Sequence, residues 1–358
     1  MTILLFLTGL ALLILGAELL VRGASRLSLS LGIAPLVVGL TVVSFGTSAP
    51  ELAISIKAAL DGQTDLALGN VVGSNIFNIL FILGLSALVA PLVVDRQLVR
   101  QEVPILVGLC LLVGWMALDH EISFGDGLVL VALMFAYTGL LYYIGRSSTP
   151  SEMEDAMVTG TDSPWLSRLW VQLLLMVIGL VMLVYGSRWL VQSATVFATM
   201  LGVSPLVIGL TIVSAGTSLP EVATSVIAAA RGEREIAVGN VMGSCIFNLV
   251  CVLGISALVA GDGLAVPAAL LRFDLPVMFA VSLACLPVLF TGHLIARWEG
   301  AVFLGYYAAY TTYLVLYAQE HDALDEYSLV MRTVVIPLTV ITLGVVVVRE
   351  LRRRRRQA

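Results

Sequence analysis

Two glutamates, Glu51 and Glu221, lie in the middle of apolar stretches, and each ends the same kind of six-residue pattern. The patterns are Gly-Thr-Ser-Ala-Pro-Glu at 46–51 and Gly-Thr-Ser-Leu-Pro-Glu at 216–221. A carboxylate at membrane depth is costly unless something compensates it, so an intramembrane glutamate marks a functional site by default. Two glutamates in matching patterns predict one shared site.

The other residues of each pattern add oxygen atoms around the carboxylate. Proline removes a backbone donor and clashes with the carbonyl four residues earlier, which predicts freed carbonyls near 44–47 and 214–217. Such carbonyls are tolerated at membrane depth only where they line a site or a wet cavity. Each pattern therefore predicts a compact cluster of hydroxyl, carbonyl and carboxylate oxygens.

A second duplicated pattern supplies amide and hydroxyl groups. It reads Gly-Asn-Val-Val-Gly-Ser-Asn-Ile-Phe-Asn at 69–78 and Gly-Asn-Val-Met-Gly-Ser-Cys-Ile-Phe-Asn at 239–248. Its polar residues recur every four positions, which puts them on one helical face. They are Asn70, Ser74 and Asn78, and Asn240, Ser244 and Asn248. For the first asparagine of each copy, a hydrogen bond to a neighbouring helix is as good an interpretation as a contact with a ligand.

The two patterns together offer only oxygen ligands. Ca²⁺ takes about six to eight oxygens in flexible geometry, and the same set suits Na⁺ but argues against zinc or copper. Two glutamates can balance one Ca²⁺. Without it, monovalent cations or protons must neutralise them, because neighbouring like charges cannot both stay bare in a low dielectric. We therefore expect a cation site that must be refilled before the protein turns over, and no cofactor.

Both patterns belong to one duplicated segment. Residues 32–90 and 202–260 align without a gap at an offset of 170, and 35 of the 59 aligned positions are identical. No histidine or cysteine recurs in both copies, since Cys245 aligns with Asn75. The four cysteines lie in apolar runs without metal-ligand spacing, so we interpret them as small packing residues.

The composition determines which elements can carry these patterns. Of the 358 residues, 59% are hydrophobic and 12% charged, with a mean hydropathy of +1.02, whereas a soluble domain carries about 25% charged residues. The chain is therefore predicted to be an all-α polytopic membrane protein, with the lipid bilayer as its partner and neither nucleic acid nor an obligate protein partner. Stretches of about 20 apolar residues predict eleven spans. They lie near 3–24, 33–59, 66–90, 100–118, 125–144, 169–193, 203–229, 235–260, 273–291, 298–317 and 329–348.

The basic residues predict how these spans are oriented, because Lys and Arg collect on the cytoplasmic side. With the N-terminus outside and alternating spans, 15 of the 19 basic residues fall at cytoplasmic ends, including the arginines of 349–356. This predicts a multi-pass protein of the cytoplasmic (plasma) membrane with a cytoplasmic C-terminus. Glu18 and Arg188 occupy equivalent positions but differ in charge, so we do not expect them in a duplicated site.

The period of 170 residues contains five spans, and an odd number inverts the second copy relative to the first. Inverted repeats are widespread in secondary transporters, with the site at the repeat interface near the midplane. The predicted organisation is a first repeat at 1–144, a cytoplasmic linker at 145–168, a second and inverted repeat at 169–318, and an extra span with a basic tail at 319–358.

The paired patterns resemble those of the cation/calcium exchanger superfamily, specifically its bacterial sodium/calcium exchanger-like branch. The resemblance extends over both five-span halves and implies ten core helices with ions bound between them. It implies ion-site roles for Glu51, Thr47, Ser48 and the carbonyl near Ser44, for Glu221, Thr217, Ser218 and the carbonyl near Ser214, and for Ser74, Asn78, Ser244 and Asn248.

One position departs from this family pattern. Well-studied sodium/calcium members carry an aspartate where this chain has Asn248, which leaves two carboxylates rather than three. The expected function is antiport of Ca²⁺ against Na⁺ by alternating access, and the alternative is an H⁺-coupled antiporter of Ca²⁺ or another divalent cation. A passive cation channel is a third interpretation. Enzyme activity is not expected, because the sequence offers no nucleophile–base pair or metal triad.

Overall fold

The computed structural model describes residues 1–95, 97–145, 168–203, 205–290, 293–342, 344 and 348, without the side chains of 144, 145, 205, 206, 210, 214, 289 and 290. Nearly all of the predicted linker, Arg96 and the arginines of the basic tail lie outside the described residues.

The described chain is a bundle of helices. In chain order they are α1 (Thr2–Leu31), α2 (Pro35–Thr47), α3 (Ala49–Leu60), α4 (Thr64–Val89), α5 (Leu98–Asp119), α6 (Phe124–Gly145), α7 (Leu169–Met200), α8 (Pro205–Ile208, Gly209–Val213 and Ser214–Gly216), α9 (Leu219–Ala230), α10 (Arg234–Val259), α11 (Leu270–Asp274 and Leu275–Phe290), α12 (Arg297–Ala318) and α13 (Ala323–Val330, continued by Met331–Val335). Residues 336–342 are also helical.

The second predicted span is broken in its middle. Helices α2 and α3 meet at Ser48 with a bend of 45°, and α8 and α9 are interrupted at Thr217 and Ser218 in the same way. Proline explains where α3 and α9 begin, because Pro50 and Pro220 lie in the first turn, where the missing N–H has no helical partner to lose. The break brings the start of a helix to the middle of each span.

Equivalent helices of the two copies run antiparallel. In α1 and α7, a Cβ added to Gly9 would lie 2.9 Å from the carbonyl oxygen of Gly186, and one added to Gly16 would lie 2.8 Å from that of Gly179. As the residue number increases along α1, the number of the neighbouring residue in α7 decreases, so the two helices are antiparallel. The absence of side chains at these glycines lets the two backbones touch, and the direction is the one that inverted copies require.

Two short antiparallel strand pairs also join the copies. Strand β1 (Leu92–Val93) pairs with β4 (Leu294–Ile295), and β2 (Glu121–Ile122) pairs with β3 (Leu264–Ala265). Helices α4 and α10 are the most buried of the long apolar helices and form the centre of the core. The polar stripes of the second duplicated pattern therefore lie inside the bundle.

Each predicted span overlaps helix in the described residues, although the number of membrane crossings remains a prediction. By length and composition, seven of the described helices can cross a membrane, or eight when α2 and α3 count as one bent span. The segment predicted as span eleven becomes helical earlier than expected, at Ala323. It packs on α12, where the Tyr327 hydroxyl donates to the Ala309 carbonyl at 2.8 Å.

Candidate functional site

The two glutamates lie at the helix starts created by the breaks. Glu51 is in the first turn of α3 and Glu221 in the first turn of α9. Their exposed fractions are 1% and 0%. The positive end of the helix dipole favours a carboxylate at this place, and none of the ion pairs between described residues involves either glutamate.

Each carboxylate accepts a hydrogen bond from the other copy. The Ser218 hydroxyl donates to Oε1 of Glu51 at 2.8 Å, and the Ser48 hydroxyl donates to Oε1 of Glu221 at 3.0 Å. The two glutamates are close enough to interact electrostatically. The structure thus brings both six-residue patterns into one site, as their duplication predicts.

The threonines of the two patterns lie beside the same carboxylates. Thr217 is next to Glu51, and Thr47 is next to Glu221. The Thr47 hydroxyl donates to the side-chain oxygen of Asn240 at 3.1 Å. Neighbouring hydroxyls therefore surround the carboxylates without supplying a positive charge.

The first asparagine of each polar stripe holds two helices together. Asn70 donates to the Ser55 hydroxyl at 2.9 Å, and Asn240 donates to the Ser225 hydroxyl at 2.9 Å. Asn70 also donates to the backbone carbonyl of Glu51 at 3.2 Å. These bonds tie α4 to α3 and α10 to α9, so the interpretation as interhelical hydrogen bonds holds for both residues in this conformation.

Four buried acceptor oxygens at the site have no hydrogen-bond partner among the described residues. They are Oε2 of Glu51, Oε2 of Glu221, Oδ1 of Asn78 and Oδ1 of Asn248. Buried polar atoms are nearly always paired, so each exception needs an explanation. The amide oxygens are acceptors, and the glutamate oxygens are acceptors without a proton to donate when the glutamates are ionised. The four atoms come in equivalent pairs from the two copies. A hard cation is the partner that such a set fits.

The remaining serines have different surroundings. Ser74 lies 3.3 Å from Ser218 through their hydroxyls and so adjoins Glu51. Ser244 is fully buried, and its hydroxyl has no partner in the described part of the chain, as is also true of the Thr217 hydroxyl. The backbone of Ser214 is helical, and its side chain lies outside the described residues.

The prediction of a free carbonyl at Ser44 is wrong for this conformation. The Ser44 carbonyl accepts the Ser48 N–H at 3.0 Å and the Thr47 hydroxyl at 3.3 Å. The reason is that α2 remains helical through Thr47, so the break falls after the carbonyl that we expected it to free. The Ser44 hydroxyl also bonds within its own helix, to the Leu40 carbonyl at 2.7 Å.

One residue near the site escaped the sequence analysis. Asn75 accepts a hydrogen bond from Asn248 at 3.1 Å and donates to the Cys245 carbonyl at 3.2 Å. It is fully buried and holds the amide nitrogen of Asn248, whose oxygen has no hydrogen-bond partner among the described residues. Its signal in the sequence was the mismatch of asparagine with cysteine inside an otherwise repeated pattern.

The two sides of the site are not packed alike. We define the closed side as the contact of α1 with α9 near Glu18, and the open side as the space between α7 and α3 near Arg188. On the closed side, Thr224 has an exposed fraction of 0%, whereas the equivalent Ile54 on the open side reaches 38%. The pair Val43 and Val213 differs in the same way, at 0% and 49%.

A cavity on the open side lies next to the site. Its volume is about 480 Å³, and its lining includes Pro50 and Thr217 next to the carboxylates and Arg188 farther out. The described residues contain no group of three or more His, Cys, Asp or Glu side chains that could hold a metal. The site therefore combines two carboxylates with neutral oxygens, and the cavity reaches Pro50 and Thr217 beside it.

Comparison with known proteins agrees with this chemistry. The chain is 33% identical over 343 residues to the sodium/calcium exchanger MaX1 of Methanosarcina acetivorans, covering 87% of this chain and 97% of that protein. It is 40% identical over 288 residues to the inner membrane protein YrbG of Escherichia coli, covering 78% of this chain and 86% of that protein. A solved structure of the sodium-calcium exchanger NCX_Mj superposes with a TM-score of 0.73 and 29% identity, over 88% of this chain and 97% of that chain.

The family model described as sodium/calcium exchanger protein matches residues 1–143 and 171–316. Each matched stretch contains one glutamate pattern and one polar stripe. The match thus spans both copies and every residue of the site described above, and the chain belongs to the sodium/calcium exchanger family.

Proposed function

We propose that this protein is a secondary antiporter that exchanges Ca²⁺ for Na⁺ by alternating access. The observation that carries the proposal is the set of four buried acceptor oxygens, two from each copy, that lack a donor among the described residues. Water or a protein donor could satisfy one such oxygen, but a set of four buried acceptors that includes two carboxylates matches a divalent cation in charge and in ligand type. The family membership supports the same cargo.

The proposed ion ligands come from both copies. The inner set is the two glutamates with Asn78 and Asn248, each of which has one oxygen without a hydrogen-bond partner among the described residues. The outer set is the hydroxyls that adjoin them. These are Thr47, Ser48, Ser74, Thr217, Ser218 and Ser244. For Ser44 and Ser214, the proposal is limited to their backbone carbonyls in a conformation in which α2 and α8 open.

Exchange follows from the charge of the empty site. Two buried carboxylates without a basic partner are unstable together, so the site cannot change its exposure until cations refill it. One Ca²⁺ or two Na⁺ neutralise two carboxylates equally. The site therefore couples the two fluxes because it must always carry one cargo or the other.

The orientation belongs to the proposal as well. With the N-terminus outside, the open side faces the exterior and the closed side faces the cytoplasm. The proposed protein lies in the cytoplasmic membrane, with a first repeat at 1–144, a linker at 145–168, an inverted repeat at 169–318 and an additional segment at 319–358. The lipid bilayer is the partner that these apolar helices require.

Uptake of ⁴⁵Ca²⁺ into proteoliposomes tests the function. Three matched vesicle preparations carry an outward Na⁺ gradient, an outward H⁺ gradient, or no gradient. We expect uptake only with the Na⁺ gradient. Uptake driven only by H⁺ would identify a proton-coupled antiporter, which the family membership does not favour, and equal uptake in all three would identify a passive channel.

A further inference from the structure

An ion pair fastens the closed side. The Glu18 carboxylate pairs with Arg231, at the end of α9, and with Arg22, one turn later in α1. Beside it, the Ser25 hydroxyl donates to the Glu233 carboxylate at 2.7 Å. Polar contacts thus join α1 of the first copy to the C-terminal end of α9 in the second copy.

The positions equivalent to this pair carry the opposite charges. The offset of 170 relates Glu18 to Arg188 and Arg231 to Asp61. A reversal at one position alone would have given two like charges. Because both positions are reversed, the second pair is attractive like the first.

The second pair is not formed in the conformation described above. Arg188 lines the cavity of the open side, and no hydrogen bond or ion pair joins it to another residue in the described part of the chain. Asp61 accepts a bond from Lys57 at 2.7 Å instead. The formed pair therefore lies on the packed side, and the separated pair lies on the side where the cavity opens.

We propose that Arg188 and Asp61 form the equivalent ion pair when the open side closes, and that Glu18 and Arg231 separate in the same conversion. This rests on the proposed antiport, in which inverted copies exchange their conformations. The four side chains are positioning residues, because they touch no ion and determine which side is closed. A partly exposed ion pair is weak, so each pair biases the ratio of the two states and still permits exchange.

Thiol labelling at equivalent positions on the two sides measures this ratio. Ala53 lines the cavity of the open side, and the equivalent Ala223 is partly buried on the closed side. We would introduce Ala53→Cys or Ala223→Cys into the full chain and label it with a membrane-impermeant thiol reagent, in right-side-out and inside-out vesicles. The four native cysteines are buried, so the introduced thiol reacts first.

Removing one member of each pair must shift the labelling in opposite directions. Arg231→Ala weakens the closed-side pair, so we expect the labelling rate of Ala223→Cys to rise relative to that of Ala53→Cys by about five-fold, the size of one weak ion pair. Asp61→Ala removes the alternative pair and is expected to lower the same ratio. An unchanged ratio in both variants, or a shift in the same direction, would overturn the proposal.

Charge reversal separates this role from a purely structural one. Glu18→Arg combined with Arg231→Asp recreates on the closed side the pair that the sequence places on the open side. The double variant is expected to restore the parent ratio, while Glu18→Arg alone shifts it. Arg22→Gln is the control, because Gln192 is the equivalent residue, and it is expected to stay within about two-fold of the parent ratio.

If Arg231→Ala fails to insert into the membrane, the double variant still tests the proposal. A labelling ratio in the double variant that differs from the parent ratio would overturn it. Exchange of ⁴⁵Ca²⁺ by the parent is measured in parallel. If the parent exchanges no Ca²⁺ but the ratios shift as expected, the antiport proposal fails and the ion pairs stand. If the parent exchanges Ca²⁺ and the ratios do not move, the ion-pair proposal alone fails.

Discussion

The two copies of the repeat match each other around the two glutamates and differ on the two sides of that centre. At the site, Ser48 and Ser218 make reciprocal bonds to the glutamates at 3.0 and 2.8 Å. Away from it, α2 packs tightly on α10, where a Cβ added to Gly243 would lie 2.6 Å from the Leu40 carbonyl. For the equivalent Gly73 of α4, no described atom lies within 4 Å of the added Cβ.

This difference distinguishes the geometry needed to bind the ions from the helix packing that determines which side is open. In the proposed antiport, the oxygen cluster must bind cations whichever side is open, so it gains from two equivalent halves. Access to the site must favour one side at a time, so the helices around it cannot be packed equally in any one state. The two copies, identical at 35 of 59 aligned positions, therefore pack unequally, and in the proposed antiport this inequality changes sides when the state changes.

The largest effect is expected from Glu51→Gln and Glu221→Gln, and it should be equal in the two variants. Each change removes a buried charge that faces the ion, at a cost of about 3–5 kcal/mol, or about a hundred-fold or more in affinity. Na⁺-driven ⁴⁵Ca²⁺ uptake should be abolished while the protein still inserts. Glu102→Gln is the matched control, because Glu102 is equally buried but is bonded to Tyr137 at 2.7 Å, away from the site. Normal uptake in either site variant would contradict the prediction that both glutamates bind the ion equally.

A smaller effect is expected from Asn248→Asp, which adds a third carboxylate to the site. The extra charge should raise the Ca²⁺ affinity by about ten-fold, or about 1.4 kcal/mol, and change the voltage dependence of exchange. Calcium titrations and uptake at imposed membrane potentials measure the two quantities. Asn78→Asp is the equivalent change in the other copy, and a response from only one of the two variants would mean that the asparagines are not equivalent ligands.

The packing difference itself is tested by Gly243→Ala against Gly73→Ala. The first change forces a methyl group against the Leu40 carbonyl and the Ser44 hydroxyl, each 2.6 Å away, and overpacking of this kind costs about 1–3 kcal/mol. Thermal unfolding of the purified protein should therefore show a lower midpoint for Gly243→Ala and an unchanged midpoint for Gly73→Ala. Equal midpoints would contradict the unequal packing of the two sides.

The smallest effect is expected from Cys245→Ser, which replaces the one cysteine in the second duplicated pattern. The Cys245 thiol donates a long hydrogen bond of 3.9 Å to the Asn75 carbonyl, and Asn75 in turn donates to the backbone of Cys245 rather than to its side chain. Serine keeps a donor at the same place, so stability should change by less than about 1 kcal/mol. A loss of uptake would assign position 245 a direct part in the site.

The sequence was sufficient to predict the helices and the chemistry of the centre. Mid-span glutamates, prolines and four-residue polar spacing each have a local physical cause, and these features identified Glu51, Glu221, Asn78 and Asn248. The Ser44 carbonyl was predicted wrongly, because a proline weakens a helix over several residues and packing decides which carbonyl loses its partner. The break occurs at Ser48.

Other features depend on tertiary structure and leave no local signal. Two repeats with nearly the same residues cannot reveal which copy is packed on its neighbour, so the open and closed sides could not be predicted. The reversed charges at Glu18 and Arg188 argued against a shared ion site, but they said nothing of the pair with Arg231, which is distant in sequence. Asn75 was missed because the equivalent residue is Cys245, so the position did not count as part of the duplicated pattern, although the mismatch itself was visible.

The reciprocal bonds across the site have a consequence for biogenesis. Synthesis proceeds from the N-terminus, so Glu51 is in place before the ribosome has translated Ser218, the donor that holds it. Until the second copy has inserted and docked, a nascent chain contains half of the ligands and one of the two carboxylates. A ribosome that stalls between the copies thus leaves a fragment that cannot dissipate the ion gradients of its host.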